Sequence, residues 1–98
     1  MRCLVLIVLA LSAQDSAGLV RSAQYKYKNR DVEGALADYE KAISADPGCA
    51  AAFAGRGQIR VNKGELEKGL ADYSKSIELE IRAALEREYP GYTPPKEG

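Results

Sequence analysis

The sequence predicts an all-α protein in which two antiparallel helix pairs stack on each other, and three observations lead to this class. The first is an internal repeat with an offset of 34 residues, since a period of about 20 to 50 residues is typical of repeat proteins. The second is the three-to-four spacing of apolar residues in both copies. The third is the presence of turn residues between the helical segments. The repeated residues are Leu36, Ala37, Asp38, Tyr39, Lys41 and Ile43, which recur as Leu70, Ala71, Asp72, Tyr73, Lys75 and Ile77.

Residues 1–13 are predicted to be a signal peptide, which would send the mature protein to the periplasm or outside the cell. Arg2 is followed by the uncharged run 3–11 and then by small polar residues from Ser12, which is the layout of a secretory signal. The run is shorter than the roughly 20 residues that a membrane-spanning helix needs, so no stable span is expected. Two alternatives stay open: a helix that caps the hydrophobic end of the domain, and a retained membrane anchor.

The first two helices are bounded by residues that favour helix ends. The first is predicted for about residues 19–29, and the second begins after Asp31, a good N-cap residue. The second helix ends before Pro47, because a proline disfavours the α conformation of the residue that precedes it. The two apolar stripes consist of Leu19, Val20, Ala23 and Tyr27, and of Val32, Ala35, Leu36, Tyr39, Ala42 and Ile43.

The third helix is predicted for residues 50–62 and the fourth for residues 65–89, with Gly64 in the turn where a left-handed residue is needed. No proline interrupts the fourth helix before Pro90, so it is nearly twice the usual helix length. Residues 90–98 form a Pro/Gly-rich tail. The expected packing residues are Phe53, Gly57 and Ile59 on the third helix, and Leu66, Gly69, Leu70, Tyr73, Ile77, Ile81, Leu85 and Tyr89 on the fourth.

The two units, residues 16–49 and 50–83, resemble tetratricopeptide repeats. The pattern of that family runs Trp-x-x-Leu-Gly-x-x-Tyr in the first helix, Ala-x-x-x-Phe in the second and then Pro. It is matched here by Leu19, Ala23, Ala35, Tyr39 and Pro47 in the first unit, and by Phe53, Gly57, Gly69 and Tyr73 in the second. The small residues among them would let the helices of a pair approach closely. The departures are Arg56 for the Leu, Lys26 and Arg60 for the Tyr, and Ile81 for the closing Pro.

The resemblance implies a non-enzymatic adaptor, which binds a segment of another protein in a concave groove lined by the first helix of each pair. The lining residues would be Val20, Arg21, Gln24, Tyr27 and Lys28 in the first unit, and Ala54, Gly55, Gln58, Val61 and Asn62 in the second. Chaperone-binding members of the family use a Lys and an Asn where this chain has Val20 and Gln24. The resemblance therefore does not extend to that kind of chaperone cofactor.

The zero formal net charge hides two layers of opposite charge. Residues 19–30 and 50–63 are basic, whereas the two second helices are mostly acidic, with Asp38 and Asp72 expected on an acidic outer layer. The basic layer favours an acidic segment or a C-terminal carboxylate as the ligand. The alternative is that the two layers neutralise each other and have no meaning for binding.

The composition excludes most catalytic classes. The chain has no His and only two cysteines, Cys3 and Cys49. The residues needed for a His general base, for a zinc site of the usual Cys/His spacing and for a disulfide framework are therefore missing. No enzymatic activity, metal or cofactor is expected. Nucleic acid is not expected as a partner either, because the chain is not basic overall. Cys49 is expected to pack as a small apolar residue rather than to act in redox chemistry.

Two repeats are fewer than the three or more that such stacks generally need to bury their apolar faces. The stripe Ile77, Ile81, Leu85 and Tyr89 is expected to solve this problem as the cap of the stack, or else as the contact of a homodimer. A third interpretation is that the sequence is part of a longer repeat protein. The alternative function is that of a structural assembly subunit with one permanent partner.

Overall fold

The computed structural model describes residues 16–91, and within this range it is helical and contains no strand. The helices are α1 (16–28), α2 (Val32–Ala45), α3 (Ala50–Asn62) and α4 (Leu66–Glu88). The predicted all-α class is confirmed, and α2, α3 and α4 begin and end within one residue of their predicted bounds. The predicted signal peptide and residues 92–98 of the predicted tail lie outside the described residues.

The helices repeat with the same offset as the sequence. The described part of α1 corresponds residue for residue to α3, and α2 and α4 begin 34 positions apart, at residues 32 and 66. The second pair differs only at its end, because α4 continues for 23 residues whereas α2 stops after 14. Pro47 follows α2, and Ile81 at the equivalent position of α4 lets that helix continue.

The turns after α1 and α3 are also equivalent. Arg30 and Gly64 both adopt a positive φ, 68° and 89° respectively. The next residues, Asp31 and Glu65, each donate their backbone N–H to the carbonyl five positions before them, at 2.8 Å in both turns, as in a Schellman-type helix end. Arg30 thus holds a conformation that glycine adopts more easily.

Capping interactions fix the ends of α2. The Asp31 carboxylate accepts a 3.0 Å hydrogen bond from the backbone N–H of Gly34, which confirms its predicted role as N-cap. At the other end, the Asp46 carboxylate accepts a 3.0 Å hydrogen bond from the backbone N–H of Gly48. Together with Pro47 this interaction turns the chain toward α3.

The core is built mainly from small side chains. Ile59 is the largest side chain that is fully buried, and Tyr39 is only 4% exposed. Half-buried Leu36 and Ile43 of the repeated segment pack against this core. The remaining core residues are Val20, Ala23, Ala35, Ala42 and Ala52. Alanines at these positions let the helix backbones come close together, as the sequence predicted for Ala23 and Ala35.

Helices α3 and α4 approach each other closely at two glycines. A Cβ atom added at Gly69 would lie 2.9 Å from the backbone oxygen of Gly57 and 2.5 Å from Cγ2 of Val61. Further along, the Ser76 hydroxyl donates a 2.9 Å hydrogen bond to the backbone oxygen of Ala50. Higher residue numbers on α4 therefore meet lower numbers on α3, so the two helices are antiparallel. The prediction that Gly57 and Gly69 permit a close approach is confirmed.

The expectation for Asp38 and Asp72 was wrong, because both are buried, at 4% exposure, rather than placed on an outer surface. Asp38 accepts a 2.7 Å hydrogen bond from the Ser22 hydroxyl and lies 3.0 Å from the ammonium of Lys26. Asp72 contacts Arg56 and Arg60. The physical reason is that both carboxylates face the preceding helix, where these cations compensate the cost of their burial.

Asp72 has the stronger set of partners. Arg56 donates to it from Nε at 3.0 Å and from Nη2 at 2.9 Å, and Arg60 donates from Nη1 at 3.0 Å. The hydrogen bonds to Asp72 raise the pKa of Arg56 further above its usual value. Arg56 and Arg60 occupy the positions equivalent to Ser22 and Lys26. The basic departures from the repeat pattern are therefore the partners of the repeated aspartates.

Acidification is expected to remove the contribution of Asp38 to stability. The hydrogen bond from Ser22, followed by the interactions with Lys26, lowers the pKa of Asp38 despite the opposing effect of burial. A carboxyl whose pKa is lower in the folded state stabilises the fold above its unfolded pKa of about 3.9 and loses this effect as pH falls further. The difference in unfolding free energy between the wild type and Asp38→Asn should stay constant from pH 7 to about pH 5 and shrink below about pH 4. Urea titrations at each pH measure it, and a difference unchanged at pH 2.5 would contradict the assignment.

The apolar residues of α4 divide between the core side and solvent. Gly69 is buried, but five large side chains of α4 and its C-cap are exposed by more than half: Leu66, Leu70, Ile77, Ile81 and Tyr89. Packing of these residues within the chain is not seen in residues 16–91, and a homodimer contact of the stripe stays a prediction. Nothing in residues 16–91 follows α4 in the way that α3 follows α2. In the same range, no helix is both long and apolar enough to cross a membrane.

Candidate functional site

A groove with a volume of about 590 Å³ lies between the first helices of the two pairs, and residues of α2 and α4 complete it. This volume is within the range of about 300 to 1,000 Å³ that is usual for ligand sites. Seven of the nine lining residues come from α1 and α3, as the family resemblance implies. The lining consists of Gln24, Tyr27 and Lys28 from α1, Tyr39 from α2, Ala51, Ala54, Gly55 and Gln58 from α3, and Tyr73 from α4.

Tyr39 reaches the groove because α3 carries no side chain at position 55. A Cβ atom added at Gly55 would overlap the Tyr39 ring, so the ring lies against the α3 backbone. Burial, with a smaller effect from nearby Tyr27, raises the pKa of the Tyr39 phenol above its usual value. The inner side of the groove is therefore aromatic and uncharged.

Polar groups of the groove come from equivalent positions in the two pairs. Gln24 and Gln58 are 34 residues apart, and both side chains are exposed at the groove. A side-chain amide both donates and accepts hydrogen bonds, as a peptide bond does. At one end, the Asn62 amide donates to the Tyr27 hydroxyl and thereby joins α3 to α1. The arrangement can hydrogen-bond a peptide backbone in both units.

Lys28 supplies the positive charge of the groove. Four other cations of the basic helices are engaged: Lys26 with Asp38, Arg56 and Arg60 with Asp72, and Lys63 with Glu33 at 3.0 Å. Within the described range, Arg21, Lys28 and Arg30 have no carboxylate within ion-pair distance. The charge layers therefore neutralise each other in part, as the second of the two sequence hypotheses expects. They leave Lys28 available at the groove, with Arg21 exposed on the same helix.

Six of the ten residues expected to line the groove do so: Gln24, Tyr27, Lys28, Ala54, Gly55 and Gln58. The structure places the other four elsewhere. Val20 is 7% exposed and belongs to the core, while Val61 packs where α3 meets Gly69. Arg21 and Asn62 are exposed beside the groove. Val20 therefore faces the core cluster rather than the groove.

Three lining residues were not expected from the sequence: Tyr39, Ala51 and Tyr73. Tyr39 and Tyr73 belong to the second helices and were assigned to packing. The signal that could have identified them is their identity at the 34-residue offset combined with the absence of a side chain at Gly55. A long aromatic side chain opposite a helical glycine can pass between helices and reach the surface on the other side.

The remaining sequence expectations concern single residues. Cys49 is half-buried, precedes α3 as its N-cap and packs against the core. In the stripe on α4, Ile77, Ile81 and Tyr89 are exposed and Leu85 is half-buried. Across residues 16–91, no group of three or more His, Cys, Asp or Glu side chains is placed to hold a metal ion.

Comparison with known proteins adds no assignment. No family model matches the chain, and no solved structure matches it significantly.

Proposed function

We propose that this chain is a two-unit member of the tetratricopeptide repeat family, which acts as a non-enzymatic adaptor and binds a peptide segment of a partner protein in the groove between α1 and α3. The observation that carries the proposal is the groove itself, lined mostly by the first helices and offering the same amide, Gln24 and Gln58, in both units. The equivalent turns at Arg30 and Gly64 support the family assignment.

The ligand is an extended segment whose backbone hydrogen-bonds to the two glutamines. Ala51 and Ala54 leave room on the α3 side of the groove for a main chain to approach. The aromatic rings provide flat apolar contacts for its side chains. Such a surface recognises the peptide backbone with little demand on sequence, so the charge at its edge is left to discriminate between ligands.

An acidic residue of the segment would pair with Lys28. The buried aspartates hold three cations of the basic layer, Lys26, Arg56 and Arg60, so the ligand has to use a cation that the fold leaves unpaired. Lys28 meets this condition and lines the groove, and Arg21 lies seven residues, or about two turns, before it on the same helix. A hydrogen bond to a charged group contributes about 1.5 to 3 kcal/mol, and the solvent exposure of Lys28 places this pair at or below the lower end.

Removing the charge at Lys28 is expected to weaken binding of an acidic peptide by about tenfold, which equals about 1.4 kcal/mol. The probe is a fluorescein-labelled 12-residue peptide of alternating Glu and Ala, measured by fluorescence anisotropy at low salt, beside the same peptide with Lys in place of Glu. The variants are Lys28→Gln and Arg21→Gln. The peptide with Lys should bind more weakly than the one with Glu, since it meets like charge.

Arg30→Gln is the matched control for charge. Arg30 also has no carboxylate within ion-pair distance, but it does not line the groove. If Arg30→Gln weakens binding as much as Lys28→Gln does, a general field attracts the peptide and the groove is not its site. A Gln24→Ala/Gln58→Ala variant tests the backbone contacts, because it should weaken binding of both peptides equally. Unchanged affinity of all variants at low salt would overturn the proposed function.

The proposal includes export to the periplasm or the outside of the cell, based on the charged start and the apolar run of residues 1–13.

A second candidate function is that of an assembly subunit, with one permanent partner or with a second copy of itself. The observation in its favour is the set of large apolar side chains exposed on α4. A melting temperature that rises steeply with partner concentration is the expected result for such a subunit.

A further inference from the structure

The exposed face of α4 is made by four large aliphatic side chains on one side of the helix. Leu66, Leu70, Ile77 and Ile81 are 55% to 62% exposed. At 3.6 residues per turn these positions fall on a single stripe, about 22 Å long. Monomeric soluble domains rarely leave such a contiguous apolar surface uncovered.

The equivalent face of α2, in the first helix pair, is covered within the fold. Leu66, Leu70 and Ile77 occupy the positions equivalent to residues 32, 36 and 43 of α2, which pack against the core. There the covering helix is α3. It runs antiparallel to α2, since Lys63 pairs with Glu33 whereas Gly55 lies against Tyr39. The face on α4 therefore continues an interface already present in the molecule, and it fits an antiparallel helix.

Helix α1 of another copy does not fit this face, although it is the repeat equivalent of α3. Arg21 stands where α3 has Gly55. A Cβ atom at Gly55 would already overlap the Tyr39 ring, so Arg21 would meet Tyr73, the equivalent of Tyr39, in the same way. Tyr25 likewise replaces fully buried Ile59. Head-to-tail stacking of copies is thereby disfavoured.

The same face of a second copy does fit. The spacing of the four residues, 4, 7 and 4, is the same read from either end of the helix. Two α4 helices that run antiparallel about a two-fold axis between residues 73 and 74 would pair Leu66 with Ile81, and Leu70 with Ile77, of the second copy. Such an isologous contact buries the same surface on both chains.

The charges of α4 divide between paired and unpaired side chains. On the side away from the stripe, Lys68 pairs with Glu65 at 3.6 Å, and Lys75 and Arg82 pair with Glu78 at 3.9 Å and 3.1 Å. Beside the stripe, Glu67 and Glu80 are exposed and have no ion pair within the described residues, so the contact has to come from the apolar side chains. We infer that the α4 face is a self-association surface, through which two copies of this chain form an antiparallel two-fold dimer.

Sedimentation equilibrium of the full chain over a concentration series tests the inference. A four-residue stripe is small beside the roughly 800 Å² per partner of a standard interface, so the expected result is a reversible dimer with dissociation in the micromolar range. Leu70→Glu and Ile77→Glu should be monomeric with unchanged helix content, because both side chains are exposed. Ser74→Glu, on the edge of the stripe, should weaken the dimer less. A chain that is monomeric at all concentrations, or a dimer that survives Leu70→Glu, overturns the inference.

Cross-linking tests the direction of the two helices. In a background with Cys3→Ser and Cys49→Ala, a mixture of the Leu66→Cys and Ile81→Cys variants should form a disulfide between the two different chains. Neither variant should cross-link efficiently to itself. Self-linked Leu66→Cys chains would instead indicate a parallel contact and would overturn the antiparallel pairing. The peptide-binding assay on Leu70→Glu keeps this result separate from the proposed function, since Leu70 does not line the groove.

Discussion

Replacing Asp72 by Ala is expected to lower the unfolding free energy by about 3 kcal/mol. The carboxylate side chain is 6% exposed and receives three hydrogen bonds from two guanidinium groups. Without it, Arg56 and Arg60 lose their counter-charge where α3 meets α4. Breaking a buried ion pair costs about 3 to 5 kcal/mol, and the lower end applies because the arginine side chains are 19% and 24% exposed. Urea denaturation followed by circular dichroism measures the loss.

The equivalent residue of the first pair is the matched control. Asp38 is buried to the same extent, but its partners are the Ser22 hydroxyl and the ammonium of Lys26, whose side chain is 39% exposed. Asp38→Ala should therefore cost only about 1 to 2 kcal/mol. The double variant Arg56→Ser/Arg60→Lys gives Asp72 the partner types of Asp38 and should cost less than Asp72→Ala. If Asp38→Ala costs as much as Asp72→Ala, the guanidinium pairs are not the source of the difference.

These two carboxylates connect stability with the proposed function. Each belongs to the repeated segment, and each forms an ion pair with at least one cation of the preceding helix. A basic first helix therefore does not by itself make a basic groove. A basic side chain can bind a ligand only where no carboxylate of the fold already pairs with it. Among the unpaired cations of α1 and α3 in the described residues, Lys28 lines the groove.

The fold followed from the sequence because its determinants are local. The cap at Asp31, the proline at 47 and the turn at Gly64 each act within a few residues. They fixed the helix ends almost to the residue, and the 34-residue period fixed which helices correspond. The close helix approach at positions 57 and 69 could also be predicted, because it requires small residues such as the glycines found there.

The environment of Asp38 and Asp72 could not be read in the same way. A charge on a helix normally indicates the solvent side, and the partners that reverse this rule lie 12 to 16 residues away on another helix. The exposure of the α4 stripe was missed for a related reason. An apolar pattern predicts that a face is suited to burial, but whether something covers it depends on a neighbour that the pattern does not contain.

The groove was predicted in part. The wrong assignments concern which side of a helix faces the groove. The sequence selected the right helices, but it placed Val20 and Val61 on the groove when they face other helices. Tyr39 and Tyr73 were missed because their helices were assigned to packing alone. Gln24 and Gln58 are identical at the 34-residue offset, and both line the groove. Identity between the first helices therefore indicates the site, whereas the longer repeated segment of the second helices indicates the fold.

Gly69→Ala is expected to destabilise the protein by about 1 to 2 kcal/mol even though Ala favours a helix more than Gly does. The new methyl group would lie 2.5 Å from Val61 Cγ2 and 2.9 Å from the Gly57 backbone oxygen. Val61 can change rotamer, but the carbonyl of Gly57 is part of helix α3 and cannot move without the helix. Overpacking of this kind costs about 1 to 3 kcal/mol, against a gain in helix propensity of about 1 kcal/mol.

Gly18→Ala separates the two contributions. Gly18 lies within α1, and a Cβ atom there would meet no atom of residues 16–91 within 4 Å. The same substitution should therefore show the propensity gain alone and stabilise the protein by about 0.5 to 1 kcal/mol. The two Gly→Ala variants should thus shift the urea midpoint in opposite directions. Equal shifts would mean that α3 and α4 are not in backbone contact at positions 57 and 69, and that the second unit is held together by the Asp72 network without the close helix approach.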